Sequence, residues 1–167
     1  MNFRNISFGV LGLSLIGIVS YLVRQKKLLS SFGYEILTFT YLGTQNNVAK
    51  VEVKMKFTNT SDFNIKIKGY KFDVFLDGKV IAKAEDNSVY EIPAKKSVII
   101  SFIGNADANL SLTLGISSLI ENFIDSTQST ATLKGSINIQ AGLVSIKNYP
   151  IEVSATTQEL LNKLKNK

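Results

Sequence analysis

Val51-Glu52-Val53-Lys54-Met55-Lys56-Phe57-Thr58-Asn59 is the stretch that decides the fold. Apolar side chains at 51, 53, 55 and 57 alternate with charged ones at 52, 54 and 56. A period of two belongs to a strand with one face buried and the other in water. The run ends at Asn59-Thr60-Ser61-Asp62, whose short polar side chains bond nearby backbone and so favour a turn. Upstream, Tyr34 to Leu42 sets Ile36, Thr38 and Thr40 on one side and Leu37, Phe39 and Tyr41 on the other, and Gly43 to Asn47 reads as a turn.

Downstream the same rhythm continues. Ile65 and Ile67 share one parity and Tyr70, Phe72, Val74 and Leu76 the other, with the switch at Lys68-Gly69. A phase change of one residue beside glycine predicts a β-bulge. Asp77-Gly78 is a two-residue hairpin signal, and Lys79 to Ala84 returns as a short strand. Glu85 to Ser88 reads as a polar turn and Val89 to Ile92 as a short extended piece closed by Pro93. Val98, Ile100 and Phe102 mark a strand, with Ile99 and Ile103 suggesting burial of its opposite face as well. Leu112, Ile116, Leu119, Ile120, Phe123 and Ile124 fall on one helical stripe. Leu133 to Ile139 and Val144 to Val153 complete the strands around a turn at Gly142, and Pro150 implies an edge or a bulge. Thr156-Thr157-Gln158-Glu159 matches a capping box opening a basic terminal helix. The fold class is mainly β: about seven short strands with one inserted helix, the rhythm of a Greek-key β-sandwich.

The first residues have another character. Asn5 to Val23 carries no charge, and a helix of that length spans roughly 28 Å, close to the hydrocarbon thickness of a bilayer. The expected span uses Ile6, Phe8, Val10, Leu11, Leu13, Leu15, Ile16, Ile18, Val19, Tyr21, Leu22 and Val23, with Tyr21 at headgroup level. Arg4 precedes it and Arg24, Lys26 and Lys27 follow it, placed to contact lipid headgroups. The apolar core runs into bulky and then basic residues, without the small residues a signal peptidase needs, so the segment is expected to be retained as a signal anchor. The charge difference across it leans the head toward the cytoplasm by one charge. No GxxxG dimerisation face is present. Four regions result: an anchor with its basic flank over 1–27, a connector over 28–33, the β domain over 34–155 and a basic helix over 156–167.

Composition narrows the chemistry. The 167 residues are 45% hydrophobic and 19% charged, too apolar for a disordered chain. Cysteine and histidine are both absent, which removes disulfides, thiolate chemistry and the commonest general base. The net charge of +6 sits at the ends: Arg4, Arg24, Lys26, Lys27, Lys163, Lys165 and Lys167 leave 12 basic against 13 acidic residues elsewhere. That distribution suits anionic lipid better than nucleic acid, which wants a basic folded surface. Asp73, Asp77, Glu85 and Asp86 invite a calcium reading, but turn and strand spacing gives them no reason to converge. Asn59-Thr60-Ser61 and Asn109-Leu110-Ser111 match the glycosylation sequon. Tyr34, Tyr41, Tyr70 and Phe72 fit a core better than an aromatic binding face. No cofactor, metal, nucleic acid or small-molecule substrate is expected.

Residues 34–155 resemble the late embryogenesis abundant type-2, or water-stress and hypersensitive-response (WHy), domain family. The likeness lies in Val51 to Asn59 and its turn, in Ile65 to Leu76 with Asp77-Gly78-Lys79-Val80-Ile81-Ala82, in Ile92-Pro93-Ala94 before Ser97 to Ile100, and in Gly135 and Tyr149-Pro150-Ile151. Thr60 and Ser61 stand where the family's turn has proline and a second asparagine. The resemblance implies an immunoglobulin-like sandwich without enzymatic activity, protective or binding under desiccation stress and often beside a membrane. The expected function is therefore a non-enzymatic, membrane-anchored module with a protein partner. The alternative is a structural component of a membrane-associated assembly, such as a membrane-containing virion, with the head docked on a neighbour.

Overall fold

The computed structural model describes residues 20–46, 48–106 and 128–165. Seven strands follow one another: β1 (Phe32–Gln45), β2 (Val48–Asn59), β3 (Ile65–Leu76), β4 (Lys79–Ile92), β5 (Ser97–Asn105), β6 (Thr130–Ala141) and β7 (Val144–Thr156). Residues 20–30 form helix α1, and α2 (Thr157–Lys165) follows β7. The strands form one antiparallel sheet in the order β1-β2-β5-β4-β3-β6-β7.

The sheet is strongly curled. β4 and β5 meet at a single pair, Lys83 with Asn105, so the order there is held by one register point. Side chains close the curl instead. The Phe102 ring on β5 lies 4.5 Å from Tyr70 and 5.2 Å from Phe72, both on β3. Phe32 on β1 and Tyr149 on β7, from the two extremes of the order, have ring centroids 6.5 Å apart. Edge-to-face rings at these separations add to the area they bury. Val51, Val53, Met55 and Phe57 are buried as the alternation predicts, while Glu52, Lys54 and Lys56 face outward.

Bulges set the phase of several strands. Gly69 has φ +101° at the register shift between Lys68 and Tyr70, where the parity switch placed a bulge. It is what brings Ile67 and Tyr70 onto the same buried face. A second bulge in β1, between Ile36 and Thr38, does the same for Ile36, Phe39 and Tyr41, which pair with the buried Met55, Val53 and Val51. The β3–β4 hairpin turns on Asp77 (φ 46°) and Gly78 (φ 79°), the two positive angles of a type I′ turn. Pro150 lies exposed on β7, an end strand of the order, where its missing N–H breaks no ladder.

Five expectations need correction. Ile36 shares its face with Phe39 and Tyr41, not with Thr38 and Thr40, because the β1 bulge shifts the phase between Ile36 and Thr38. β4 is continuous through Glu85 to Ser88, because Glu85 and Asp86 pair with Lys71 and Tyr70 of β3 and Asn87 and Ser88 are taken up opposite the Gly69 bulge instead of turning. Ile99 and Ile103 are 53% and 49% exposed, so β5 buries only one face. Residues 28–30 are helical, not a connector, and Leu28 is buried. Strand β1 starts at Phe32 and runs to Gln45, longer than Tyr34 to Leu42. The inserted helix expected from Leu112 to Ile124 lies outside the described residues. So does the expected span from Asn5 to Val19; among the described residues no helix is long and apolar enough to cross a membrane.

Candidate functional site

The antiparallel order sends the start of β1, the β2–β3 turn, the β4–β5 turn and the β6–β7 hairpin to the same end of the sheet, and α1 enters there. Asn59, the last residue of β2, organises that end. Its amide nitrogen lies 2.8 Å from the Phe63 carbonyl and 3.1 Å from those of Ile92 and Pro93. Its oxygen accepts from the Ser61 backbone N–H at 2.9 Å and from the Ser61 hydroxyl at 2.6 Å. Three carbonyls on one side and two donors on the other admit a single orientation of the amide. Thr60 adds a bond from its N–H to the Ser31 carbonyl at 2.9 Å, fastening the turn to the segment that joins α1 to β1. Asn59, Thr60 and Ser61 are thus structural. Ser61 restrains this turn by side chain and backbone together. Because the Asn59 amide is buried and fully engaged, this sequon cannot accept a sugar in the folded chain; Asn109 lies outside the described residues.

α1 carries the expected headgroup contacts. Tyr21, Arg24 and Leu28 are spaced three and four apart and so share a helix face. Leu28 is buried, and the Tyr21 hydroxyl donates to the Ser145 carbonyl of β7 at 3.1 Å. Tyr21 therefore has a protein partner, where a headgroup partner was expected. Leu22 and Val23 remain exposed, as do Arg24, Lys26 and Lys27. Arg24 and Lys27 overlook a groove of about 370 Å³ whose apolar wall is Leu28, Phe63, Leu143 and Val144. Arg4 and the span residues Ile6, Phe8, Val10, Leu11, Leu13, Leu15, Ile16, Ile18 and Val19 lie outside the described residues. Sequence reading overlooked Phe63 and Leu143. The signal was there at Gly142-Leu143, a large apolar residue at the apex of a turn where polar ones are usual.

The other candidates disperse. Asp73 pairs with Lys83 at 3.9 Å and Glu85 with Lys71 at 3.5 Å, while Asp77 accepts from the Thr130 N–H at 2.7 Å. The hydroxyl and backbone N–H of Ser88, followed by the Tyr90 hydroxyl, hold the Asp86 carboxyl below its ordinary range. Among the described residues no group of three or more acidic side chains could hold a metal. Phe72 and Tyr70 are buried, and Tyr34 and Tyr41 pack against the core, so the aromatics fill the interior. Burial first, then the neighbouring Tyr90 and Asp86, push the Tyr70 phenol up to about 12. Burial likewise raises Tyr34, with Tyr149 adding to it.

No family model matches the chain, and no curated protein matches it. Among solved structures it is similar to a protein from Archaeoglobus fulgidus, with a TM-score of 0.51 at 12% identity over 74% of this chain and 97% of that one. It is also similar to AT1g01470 from Arabidopsis thaliana, with a TM-score of 0.45 at 15% identity over 73% of this chain and 76% of that one. A proposed late embryogenesis abundant (LEA) protein, At2g46140.1, gives a TM-score of 0.36 at 14% identity over 88% of this chain and 84% of that one. At such identities a likeness speaks for fold alone, and of these three the archaeal structure has a TM-score high enough to do so.

Proposed function

We propose that the chain is a non-enzymatic, single-pass membrane protein of the late embryogenesis abundant type-2 kind. Its head is read as an immunoglobulin-like Greek-key sandwich that binds or protects clients beside the bilayer under water stress. The observation that carries this reading is the uncharged run Asn5 to Val23, which passes into α1 and its basic Arg24, Lys26 and Lys27. The single β4–β5 pair supports the sandwich, since it divides the strands into β1-β2-β5 and β4-β3-β6-β7. The turn at Asn59 and the hairpin at Asp77-Gly78 support the family. Alkaline extraction of membranes from expressing cells is the test of the anchor: the intact chain stays in the pellet and leaves only with detergent. Recovery of the unprocessed chain in the soluble fraction overturns it. For the protective role, vesicles carrying the full chain leak less on drying and rehydration than empty ones; equal leakage, with no client bound, refutes it.

A second reading draws on Ile99 and Ile103, which project from the outer face of β5 as apolar contacts for a neighbour. It makes the chain a structural part of a membrane-associated assembly. Recovery at fixed stoichiometry in a purified particle favours it, and free lateral diffusion of a monomer counts against it.

A further inference from the structure

Leu143 is 91% exposed at the apex of the β6–β7 hairpin. A lone exposed leucine is ordinary, but this one has company. Phe63 from the β2–β3 turn and Leu28 of α1 share its groove, with Arg24 and Lys27 along the rim. On the other flank of Gly142 a polar groove of about 330 Å³ is lined by Asn64, Lys66, Lys68 and Gln140. Lys95 and Lys96 of the β4–β5 turn lie at the same end. The acidic groups there are Asp62, paired with Lys95 at 3.0 Å, and Glu91, paired with Lys66 at 3.5 Å. An apolar apex within an excess of cations is complementary to a surface that is anionic outside and apolar beneath. The chain itself leads there, since the uncharged run ending at Val23 joins the sheet at this end through α1.

We infer that this end of the sheet rests on the anionic face of a bilayer, with Leu143 inserted at headgroup depth and Arg24, Lys27, Lys66 and Lys68 against lipid phosphates. The inference deepens the membrane reading and rests on it for the position of the head. An apolar side chain enters the headgroup boundary most readily when cations beside it are drawn to anionic lipid. Tyr21, bonded to the Ser145 carbonyl, ties α1 to the same hairpin, so helix and hairpin meet the surface together.

The chain has no cysteine, so one can be placed at will. The full chain is reconstituted into vesicles of phosphatidylcholine and phosphatidylglycerol, with an environment-sensitive fluorophore on Leu143→Cys or, at the opposite hairpin, on Lys79→Cys. A nitroxide-bearing lipid quenches the label at 143 several-fold more than that at 79. The double change Lys66→Gln and Lys68→Gln weakens the quenching, as does omission of the anionic lipid. Equal quenching at 143 and 79 in chains that resist alkaline extraction overturns this inference and leaves the anchor intact. Strong quenching at 143 in chains that alkali removes supports the contact and overturns the anchor. Quenching unchanged by the lysine substitutions and by lipid charge removes the cations from the contact and overturns it as stated.

Discussion

Asn59 is 1% exposed, and five polar groups converge on its side chain. Its neighbours are all backbone or serine atoms, so truncation takes a donor from three carbonyls in two segments, of which Phe63 keeps the Ser61 hydroxyl and Pro93 the Lys96 N–H. Unsatisfied buried groups cost about 1–3 kcal/mol each, and some of the loss is recovered by water at this end of the sheet. Asn59→Ala is therefore expected to destabilise the head by about 3 kcal/mol, read from denaturant unfolding; a loss within about 0.5 kcal/mol, as at an ordinary surface site, would count against the assigned role. Tyr70 makes a prediction in pH. Its phenol is buried and neutral in the fold, beside Tyr90, which donates to Asp86 at 3.0 Å. The folded value near 12 lies above the ordinary 10.0, so the stability from this group is complete below pH 10 and is lost as pH rises toward 12. An ultraviolet tyrosinate titration should show Tyr70 ionising last, after the raised Tyr34 and Tyr90, with unfolding close behind, and Tyr70→Phe should abolish that last step. The sequence made Asn59 legible as a turn residue but not as a buried one, because burial here depends on the β4–β5 turn, more than thirty residues away.

Local pattern served some elements well. The Thr156 N–H donates to the Glu159 carboxylate at 2.8 Å, and the Glu159 N–H donates to the Thr156 hydroxyl at 3.2 Å, the reciprocal pair foreseen from four residues. Thr156→Ala should cost about 1 kcal/mol of local stability, seen as faster amide exchange in the first turn of α2 with β7 unaffected; unchanged exchange would show that Thr157, bonded to the Ser129 carbonyl at 3.2 Å, holds the end alone. The bulge at Gly69 and the hairpin at Asp77-Gly78 were equally legible, since each is a backbone requirement met by a local residue choice. β4 was not. Glu85, Asp86, Asn87 and Ser88 have turn chemistry, and only the pairing of Glu85 and Asp86 with β3, with Asn87 and Ser88 taken up opposite the Gly69 bulge, keeps the strand going. At β5 the apolar Ile99 and Ile103 imitate a second buried face, and only their exposure in the folded sheet separates them from core residues.

At the scale of the whole molecule, seven strands could be counted from the sequence, but their order could not. The β2–β3 crossing and the near-break between β4 and β5 are decided by packing between residues far apart in the chain. Phe102 is the hinge of that packing, in ring contact with Tyr70 and Phe72 on one side and with Phe57 at 6.0 Å on the other. Phe102→Ala should cost about 3–5 kcal/mol, by denaturant unfolding, and loosen both groups of strands at once; a smaller loss confined to β5 would mean that the curl has other support. The basic, apolar-tipped end was half legible: Arg24, Lys26 and Lys27 showed as a flank, while Phe63 and Leu143 joined them only once the turns were placed.

The most direct test of the membrane reading uses the absence of native cysteine. Single cysteines are placed in turn at residues 6 to 23, with Arg4→Cys and Lys26→Cys as the exposed references, and native membranes are treated with a membrane-impermeant maleimide after the bilayer has been opened to it from both sides. A segment surrounded by lipid leaves every position unreactive between a reactive residue 4 and a reactive residue 26. Labelling that rises and falls every three to four residues would instead describe a helix with one face on protein and the other in water, and would contradict the account.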